Sequence, residues 1–133
     1  MRLRGADRTS RTFSSSYQRH EHISEIKPSS RLSLKGHSIL VTGGGRGIGF
    51  AISKAIAQEG GNVAILDALP EPVEEYHSLA SKYGVKTSFQ RADVTDQKSL
   101  ETGFEKAIKD VGELRGCVPA AGIALDKPIG ETA

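Results

Sequence analysis

The sequence is poor in the residue types that mark several classes of protein. Cys117 is the only cysteine among 133 residues, which excludes an intrachain disulfide and a cysteine-based metal cluster. Tryptophan is absent and aromatic residues make up 5% of the chain, too few for a surface that stacks nucleic-acid bases. No apolar run approaches the roughly 18 residues of a membrane-spanning helix. The composition therefore predicts a soluble protein with no membrane partner, in which Cys117 is a small buried residue of an apolar strand.

Positive charge is distributed unevenly along the chain. Residues 1–35 carry eight basic and three acidic side chains, a net of +5, whereas residues 36–133 carry ten basic and thirteen acidic ones, a net of −3. The second part therefore offers no broad basic face, and no nucleic-acid partner is expected. The histidines are His20, His22, His37 and His77. Their spacing predicts no metal site.

The first 35 residues differ from the rest and are interpreted as a flexible basic tail. The first twenty contain five arginines and four serines, with Asp7 as the only acid, a composition typical of a mitochondrial transit peptide. Residues 11–16 resemble the Arg-x-Phe-x-x-Ser site at which some matrix presequences are trimmed, and the mature chain would then begin near Glu21. A solvated tail on a cytoplasmic protein is the alternative. Residues 28–35 resemble a linker to a domain that begins near Leu34.

From Gly36 onward, short apolar runs alternate with segments that have helical periodicity. Strands are predicted over residues 38–41, 62–67, 85–92 and 114–120. Glycines at 60, 61, 84 and 112 are predicted to end the intervening helices, and Thr95 or Asp96 to cap the last one. Strands that are apolar on both faces indicate a parallel sheet covered by helices. The predicted fold of residues 36–133 is therefore a three-layer, doubly wound α/β Rossmann fold with a parallel sheet, truncated after about four strands.

A glycine-rich segment, residues 42–49, joins the first predicted strand to the first helix. Glycines there permit a tight turn, a close approach of the backbone to a pyrophosphate, and close packing of the helix on the sheet. The N–H groups that open the helix then bind the phosphate charge. Its position between strand and helix makes this a nucleotide-binding pattern. The candidate cofactor-binding residues of the segment are Gly43, Gly45, Arg46, Gly47, Ile48 and Gly49.

Two charged residues bear on the choice between NAD and NADP. Asp67 ends the second predicted strand, where a carboxylate accepts both ribose hydroxyls of an adenosine and favours NAD. Arg46 could instead hold a 2′-phosphate, or extend into solvent. At about 4 Å and an effective dielectric constant near 20, either charge contributes roughly 4 kcal/mol. The two are too similar to decide the matter, and NAD is favoured because the carboxylate also binds the unphosphorylated ribose.

These motifs together resemble the first half of the short-chain dehydrogenase/reductase family, over residues 34–133. The Thr-Gly-x-x-x-Gly-x-Gly loop is matched by Thr42, Gly43, Gly47 and Gly49. The acid after the second strand is matched by Asp67, the adenine-framing Asp-Val pair by Asp93 and Val94, and the Ala-Gly pair after the fourth strand by Ala121 and Gly122. The sequence around these motifs is most similar to fungal arabinitol- and sorbose-type polyol dehydrogenases. The resemblance implies the strand order 3-2-1-4. It also implies hydride transfer between NAD(P) and an alcohol or ketone, such as a sugar alcohol, by a homo-oligomeric full-length enzyme with a small-molecule substrate.

The chain departs from the family pattern in two places. Pro119-Ala120 stands where the family usually has two asparagines that brace neighbouring strands. The catalytic serine and Tyr-x-x-x-Lys pair are not matched either, because Tyr17, Tyr76 and Tyr83 all lack a lysine four residues later. No catalytic residue is therefore assigned, and those positions are expected beyond Ala133. The chain is interpreted as a cofactor-binding fragment that is inactive alone, with a non-catalytic NAD(P)-binding module or partner subunit as the alternative.

Overall fold

The computed structural model describes residues 33–123, in which strands and helices alternate in the predicted order. The strands are β1 (Ser38–Thr42), β2 (Asn62–Asp67), β3 (Thr87–Arg91) and β4 (Leu114–Pro119). The helices are α1 (Gly47–Gln58), α2 (Tyr76–Tyr83) and α3 (Gln97–Val111). The predicted presequence and its trimming site, in residues 1–32, and the segment 124–133 lie outside the described residues.

The four strands form one parallel sheet in the order β3-β2-β1-β4, as predicted. β1 and β2 lie in its centre and are apolar on both faces, because helices cover both sides. On one face Leu40, Ala64 and Leu66 pack with Ala107 and Val111 of α3. On the other face, side chains of β1 and β2 pack with α1 residues and with Val85. This arrangement confirms the predicted three-layer Rossmann fold.

The helix boundaries follow local chemistry. Asp96 is the N-cap of α3 and its carboxylate accepts a hydrogen bond from the Lys98 amide at 3.0 Å, so the cap is Asp96 rather than Thr95. Gly84 ends α2 in the left-handed conformation, with φ of 64°, which glycine adopts without steric cost. Helix α2 begins at Tyr76, and in the segment before it the Val73 amide donates to the carbonyl of Gly45.

The environment of Cys117 differs from the prediction. Cys117 is exposed, whereas the sequence predicted a buried core residue. It lies opposite Leu40 in the pairing of β1 with β4, and therefore on the face of the sheet that α3 covers. However, α3 packs mainly on β2 and β3, and the β4 residue that packs against the α3 cluster is Leu114, at the start of the strand. The apolar run was correctly predicted to be a strand, but its burial depends on a neighbour that the described residues do not supply.

Candidate functional site

The glycine-rich segment turns sharply at the carboxyl end of β1, at the centre of the sheet. Gly43 has a φ of 68°, and a Cβ built there would lie 2.6 Å from the Cα of Ala121. A Cβ at Gly49 would lie 2.0 Å from the carbonyl oxygen of Gly43. Both positions therefore require glycine, the first for its conformation and its contact with the segment after β4, the second for its contact within the loop.

The first turn of α1 is open toward the solvent. Arg46 occupies the N-cap position in an extended conformation, and its side chain makes no capping hydrogen bond. The amides of a helix's first turn have no acceptor within the helix, and they carry the positive end of the helix dipole. Gly47 has a φ of 57°, with no heavy atom within 4 Å of the position that a Cβ would occupy, and the Ile48 side chain is 80% exposed. This end of α1 is therefore sterically and electrostatically suited to an anion.

Asp67 connects the end of β2 to the glycine-rich loop. Its Oδ2 accepts a hydrogen bond from the Gly45 amide at 2.8 Å, and its Oδ1 accepts one from the Leu69 amide at 3.0 Å. A Cβ at Gly45 would lie 2.8 Å from Oδ2 and 3.2 Å from the Phe89 ring, so this position also favours glycine. An ionised carboxylate has about four acceptor positions, and two remain for a ligand's hydroxyl groups.

Val73 is a contributor that sequence reasoning missed. Its amide donates to the carbonyl of Gly45 at 2.9 Å, so both polar groups of the Gly45 backbone are held, one by Asp67 and the other by the segment before α2. A bond made through backbone atoms leaves no signature in residue type, and nothing in the sequence could have identified this contact.

A cavity of about 170 Å³ lies at the carboxyl ends of the strands. Of the predicted site residues, those lining it are Gly43, Asp67, Asp93, Val94, Ala121 and Gly122. Arg46, Gly47 and Ile48 lie outside its walls, at the exposed start of α1. Ile123, which is 86% exposed, also lines the cavity, although sequence reasoning did not single it out. The arrangement places residues from all four strand ends around one space, where ligands of open α/β sheets bind.

Asp93 is held in place by Thr95. Its Oδ1 accepts hydrogen bonds from the Thr95 hydroxyl at 2.7 Å and from the Thr95 amide at 2.9 Å. These two bonds, the hydroxyl contributing most, lower the pKa of the Asp93 carboxyl below its ordinary value. Asp93 is therefore ionised at neutral pH, and its loop conformation is fixed at the rim of the cavity.

The segment after β4 approaches the loop without the two asparagines of the family pattern. The Ala120 amide donates to the Thr42 carbonyl at 3.1 Å, and the Ala121 amide to the Thr42 hydroxyl at 3.4 Å. These bonds use only backbone groups of the β4 segment. They keep Ala121 and Gly122 beside Gly43, so the replacement by Pro119-Ala120 leaves this wall of the cavity in place.

The described residues form a second cavity, which is separate from the predicted site. A larger cavity, of about 270 Å³, lies between β3 and α3 and is lined by polar residues such as Gln90, Lys98 and Thr102. None of the predicted site residues borders it. In residues 33–123 no three side chains of the metal-binding type come together, and no helix there is long and apolar enough to cross a membrane.

The parallel sheet, the glycine loop and the acid at the end of β2 together define a dinucleotide-binding Rossmann domain. The model of the short chain dehydrogenase family matches residues 37–133. The chain belongs to this family, whose members bind NAD(P).

Relatives of known sequence and structure agree with this assignment. The chain is 38% identical over 93 residues to a probable NADP-dependent mannitol dehydrogenase of Yarrowia lipolytica, covering 70% of this chain and 34% of that protein. It is 35% identical over 98 residues to the sorbose reductase of Schizosaccharomyces pombe, covering 72% and 38%. The crystal structure of the NADPH-dependent 3-quinuclidinone reductase of Rhodotorula rubra matches with a TM-score of 0.60 and 37% identity, covering 74% of this chain and 40% of that one. The chain thus spans little more than a third of these relatives' length.

Proposed function

We propose that this chain supplies the cofactor-binding part of an NAD(P)-dependent oxidoreductase that interconverts an alcohol and a ketone, with a sugar alcohol as the favoured substrate. The observation that carries the proposal is the loop at Gly43–Gly49, in which glycine is required by close backbone contacts and Gly45 is bonded to the Asp67 carboxylate. Polyol and sorbose oxidoreductases among the relatives support the substrate class.

Each part of the site has a role in binding the dinucleotide. The amides that open α1 would hold the pyrophosphate, and the open space beside Gly47 leaves room for it. Asp67 would accept hydrogen bonds from the adenosine ribose, Asp93 and Val94 would frame the adenine, and Ala121 and Gly122 would line the path toward the nicotinamide. When bound, the nicotinamide ring supplies or accepts the hydride. The residues of this chain would orient the cofactor and bind its phosphate charge.

We further propose NAD as the preferred cofactor. The Asp67 carboxylate would repel a 2′-phosphate and would accept hydrogen bonds from a free ribose hydroxyl, which supports this preference. Relatives named as NADP-dependent or NADPH-dependent argue the other way. Equilibrium titration of the protein with NAD and with NADP tests the preference, and a lower dissociation constant for NADP would refute it.

The binding proposal itself is tested by a carboxylate placed in the phosphate site. Gly47 and Gly84 make a matched pair, because their φ values are 57° and 64° and a Cβ at either meets no heavy atom within 4 Å. Gly47→Asp and Gly84→Asp therefore carry similar backbone strain, and only the first lies at the start of α1. We expect Gly47→Asp to abolish measurable NAD(P) binding and Gly84→Asp to retain it. Equal affinities in the two variants would refute the assignment.

The biological setting is also a proposal. The full-length enzyme would be a homo-oligomer that acts on a small molecule, and residues 1–35 would direct it to mitochondria, with a cytoplasmic location as the alternative. Fusion of residues 1–35 to a fluorescent protein tests the proposed location, because import would give a mitochondrial signal and a shortened product. A diffuse signal of unchanged mass would favour the cytoplasm.

A further inference from the structure

Arg91 ends β3 directly beside the residue proposed to bind the ribose. In the pairing of β2 with β3, Asp67 is opposite Arg91. Residues that are opposite each other in a sheet extend to the same face, and neighbouring strands are about 4.8 Å apart. A cationic side chain of the edge strand therefore starts one strand away from the Asp67 carboxylate, on the same face of the sheet.

One hydrogen bond fixes the direction of the Arg91 side chain. Its Nε donates to the carbonyl oxygen of Ala68 at 3.3 Å, and Ala68 follows Asp67 and lines the 170 Å³ cavity. A guanidinium has five N–H groups, so this bond leaves the terminal nitrogens for another acceptor. The side chain is exposed, so that an entering anion can reach it from solvent. It also borders the larger cavity between β3 and α3, which is separate from the cavity beside Asp67.

The charge of Arg91 is not neutralised by a neighbouring carboxylate. In residues 33–123 the ion pair found within 4 Å joins Lys54 to Glu75, and Arg91 has no such partner among these residues. Asp67 is likewise bonded to backbone amides and not to a cation. Arg46, which follows Gly45 in the loop, is also exposed. Asp67 therefore has one arginine, Arg91, opposite it in the neighbouring strand, and the loop that Asp67 contacts carries a second, Arg46.

We infer that Arg91 is a specificity-determining residue, which lets the ribose site accept a 2′-phosphate despite Asp67. The inference rests on the proposed nucleotide-binding function. Arg91 offers planar, charged donors to a phosphate oxygen, and an unphosphorylated ribose has no charge for it to bind. Removing the guanidinium should therefore weaken binding of the nucleotide that carries a 2′-phosphate and leave binding of the nucleotide without it unchanged. Because the side chain is exposed, the expected effect is about fivefold, as for surface charge pairs.

The experiment compares two ligands that differ only in the 2′-phosphate. ADP-ribose and 2′-phospho-ADP-ribose are titrated calorimetrically into the 133-residue chain, its Arg91→Gln variant and the control Arg115→Gln. Arg115 is an arginine on β4, at the opposite edge of the sheet. We expect Arg91→Gln to lower the affinity for 2′-phospho-ADP-ribose about fivefold and to leave the affinity for ADP-ribose unchanged. Arg91→Lys should lose less affinity for 2′-phospho-ADP-ribose than Arg91→Gln does. Arg115→Gln should bind both ligands like the original chain.

The outcomes separate this inference from the proposed function. If the original chain binds ADP-ribose but Arg91→Gln weakens both ligands equally, Arg91 only supports the turn after Asp67, and the inference is wrong. If neither affinity changes in Arg91→Gln, the inference is also wrong, but the proposed nucleotide-binding function is not contradicted. If the original chain binds neither ligand, the proposed function fails and the inference fails with it.

Discussion

The amide of Gly45 donates a 2.8 Å hydrogen bond to Oδ2 of Asp67, across 22 residues of sequence. This bond joins the glycine-rich loop to the end of β2, two features that the sequence shows only as separate motifs. Since the Gly45 carbonyl also accepts from Val73, the loop is fixed before any ligand is present. A preformed loop lowers the ordering cost of binding.

Gly49→Ala is predicted to destabilise the domain. Its methyl group would lie 2.0 Å from the Gly43 carbonyl oxygen, and a backbone atom cannot move away without opening the loop. We expect a loss near the upper end of overpacking effects, about 3 kcal/mol in the free energy of unfolding, measured by urea denaturation. Gly122→Ala is the control, since no heavy atom lies within 4 Å of its Cβ position. Equal stability of the two variants would contradict the close contact.

Asp67→Ser is predicted to shift cofactor preference toward NADP. The substitution removes a charged acceptor, which costs about 1.5–3 kcal/mol, so NAD affinity should fall by about tenfold or more. Repulsion of the 2′-phosphate disappears at the same time, so the ratio of NADP to NAD affinity should rise. Asp110→Ser serves as the control, because Asp110 accepts from Ser88 and Gln90 on the other side of the sheet. An unchanged ratio in Asp67→Ser would mean that Asp67 does not contact the ribose.

Thr95→Val is predicted to raise the pKa of Asp93 and to remove a pH-dependent contribution to stability. The Thr95 hydroxyl is the largest cause of the lowered pKa, and the remaining amide bond is the second. A carboxyl whose pKa is lower in the folded state stabilises the fold above its ordinary value of 3.8, and this contribution is lost as pH falls through the folded-state pKa. The original chain should therefore be more stable than the variant near neutral pH, and this difference should vanish in acid.

Two measurements check this prediction. Urea denaturation of both proteins between neutral pH and about pH 3 gives the stability difference, and NMR titration of the Asp93 carboxyl gives its pKa directly. A stability difference that is independent of pH would show that Thr95 acts through packing and not through the carboxylate.

Cys117 is predicted to react in the folded protein. Its side chain is exposed, but partial burial raises the pKa of the thiol above 9.0. The thiolate is the reactive form, so alkylation by iodoacetamide should go to completion without denaturant, and its rate should still be rising at about pH 9. Mass spectrometry of the intact chain follows the reaction. Modification that requires denaturant would contradict the exposed position, and protection by NAD would contradict the location of Cys117 outside the cavity.

Much of the fold could be predicted from the sequence because its signals are local. Apolar runs such as residues 62–67 indicated buried strands, and Gly84 and Gly112 marked helix ends whose backbone conformation favours glycine. The glycine spacing after β1 predicted a phosphate-binding loop, and the structure gives Gly43 and Gly49 contacts that allow no side chain. Their part in binding a cofactor stays a prediction.

Features that depend on contacts between distant residues could not be predicted in this way. Cys117 was expected in the core because its segment is apolar, yet its exposure depends on where α3 packs. The bond from Val73 to Gly45 joins backbone atoms of segments that are far apart in sequence, so residue type gives no sign of it. Both features depend on how distant segments are placed in the folded chain.

The sequence by itself determined the order of strands and helices and the residue types at the glycine-rich loop, because each follows from periodicity or from a conformation that only certain residues adopt. The family was identified from the resemblance of its motifs. Only the tertiary structure showed that Asp67 accepts a hydrogen bond from Gly45, that Thr42 accepts one from the segment after β4, and that Arg91 lies opposite Asp67. Those relationships depend on strand register and on backbone hydrogen bonds. Neither is encoded in the residue types of any one segment.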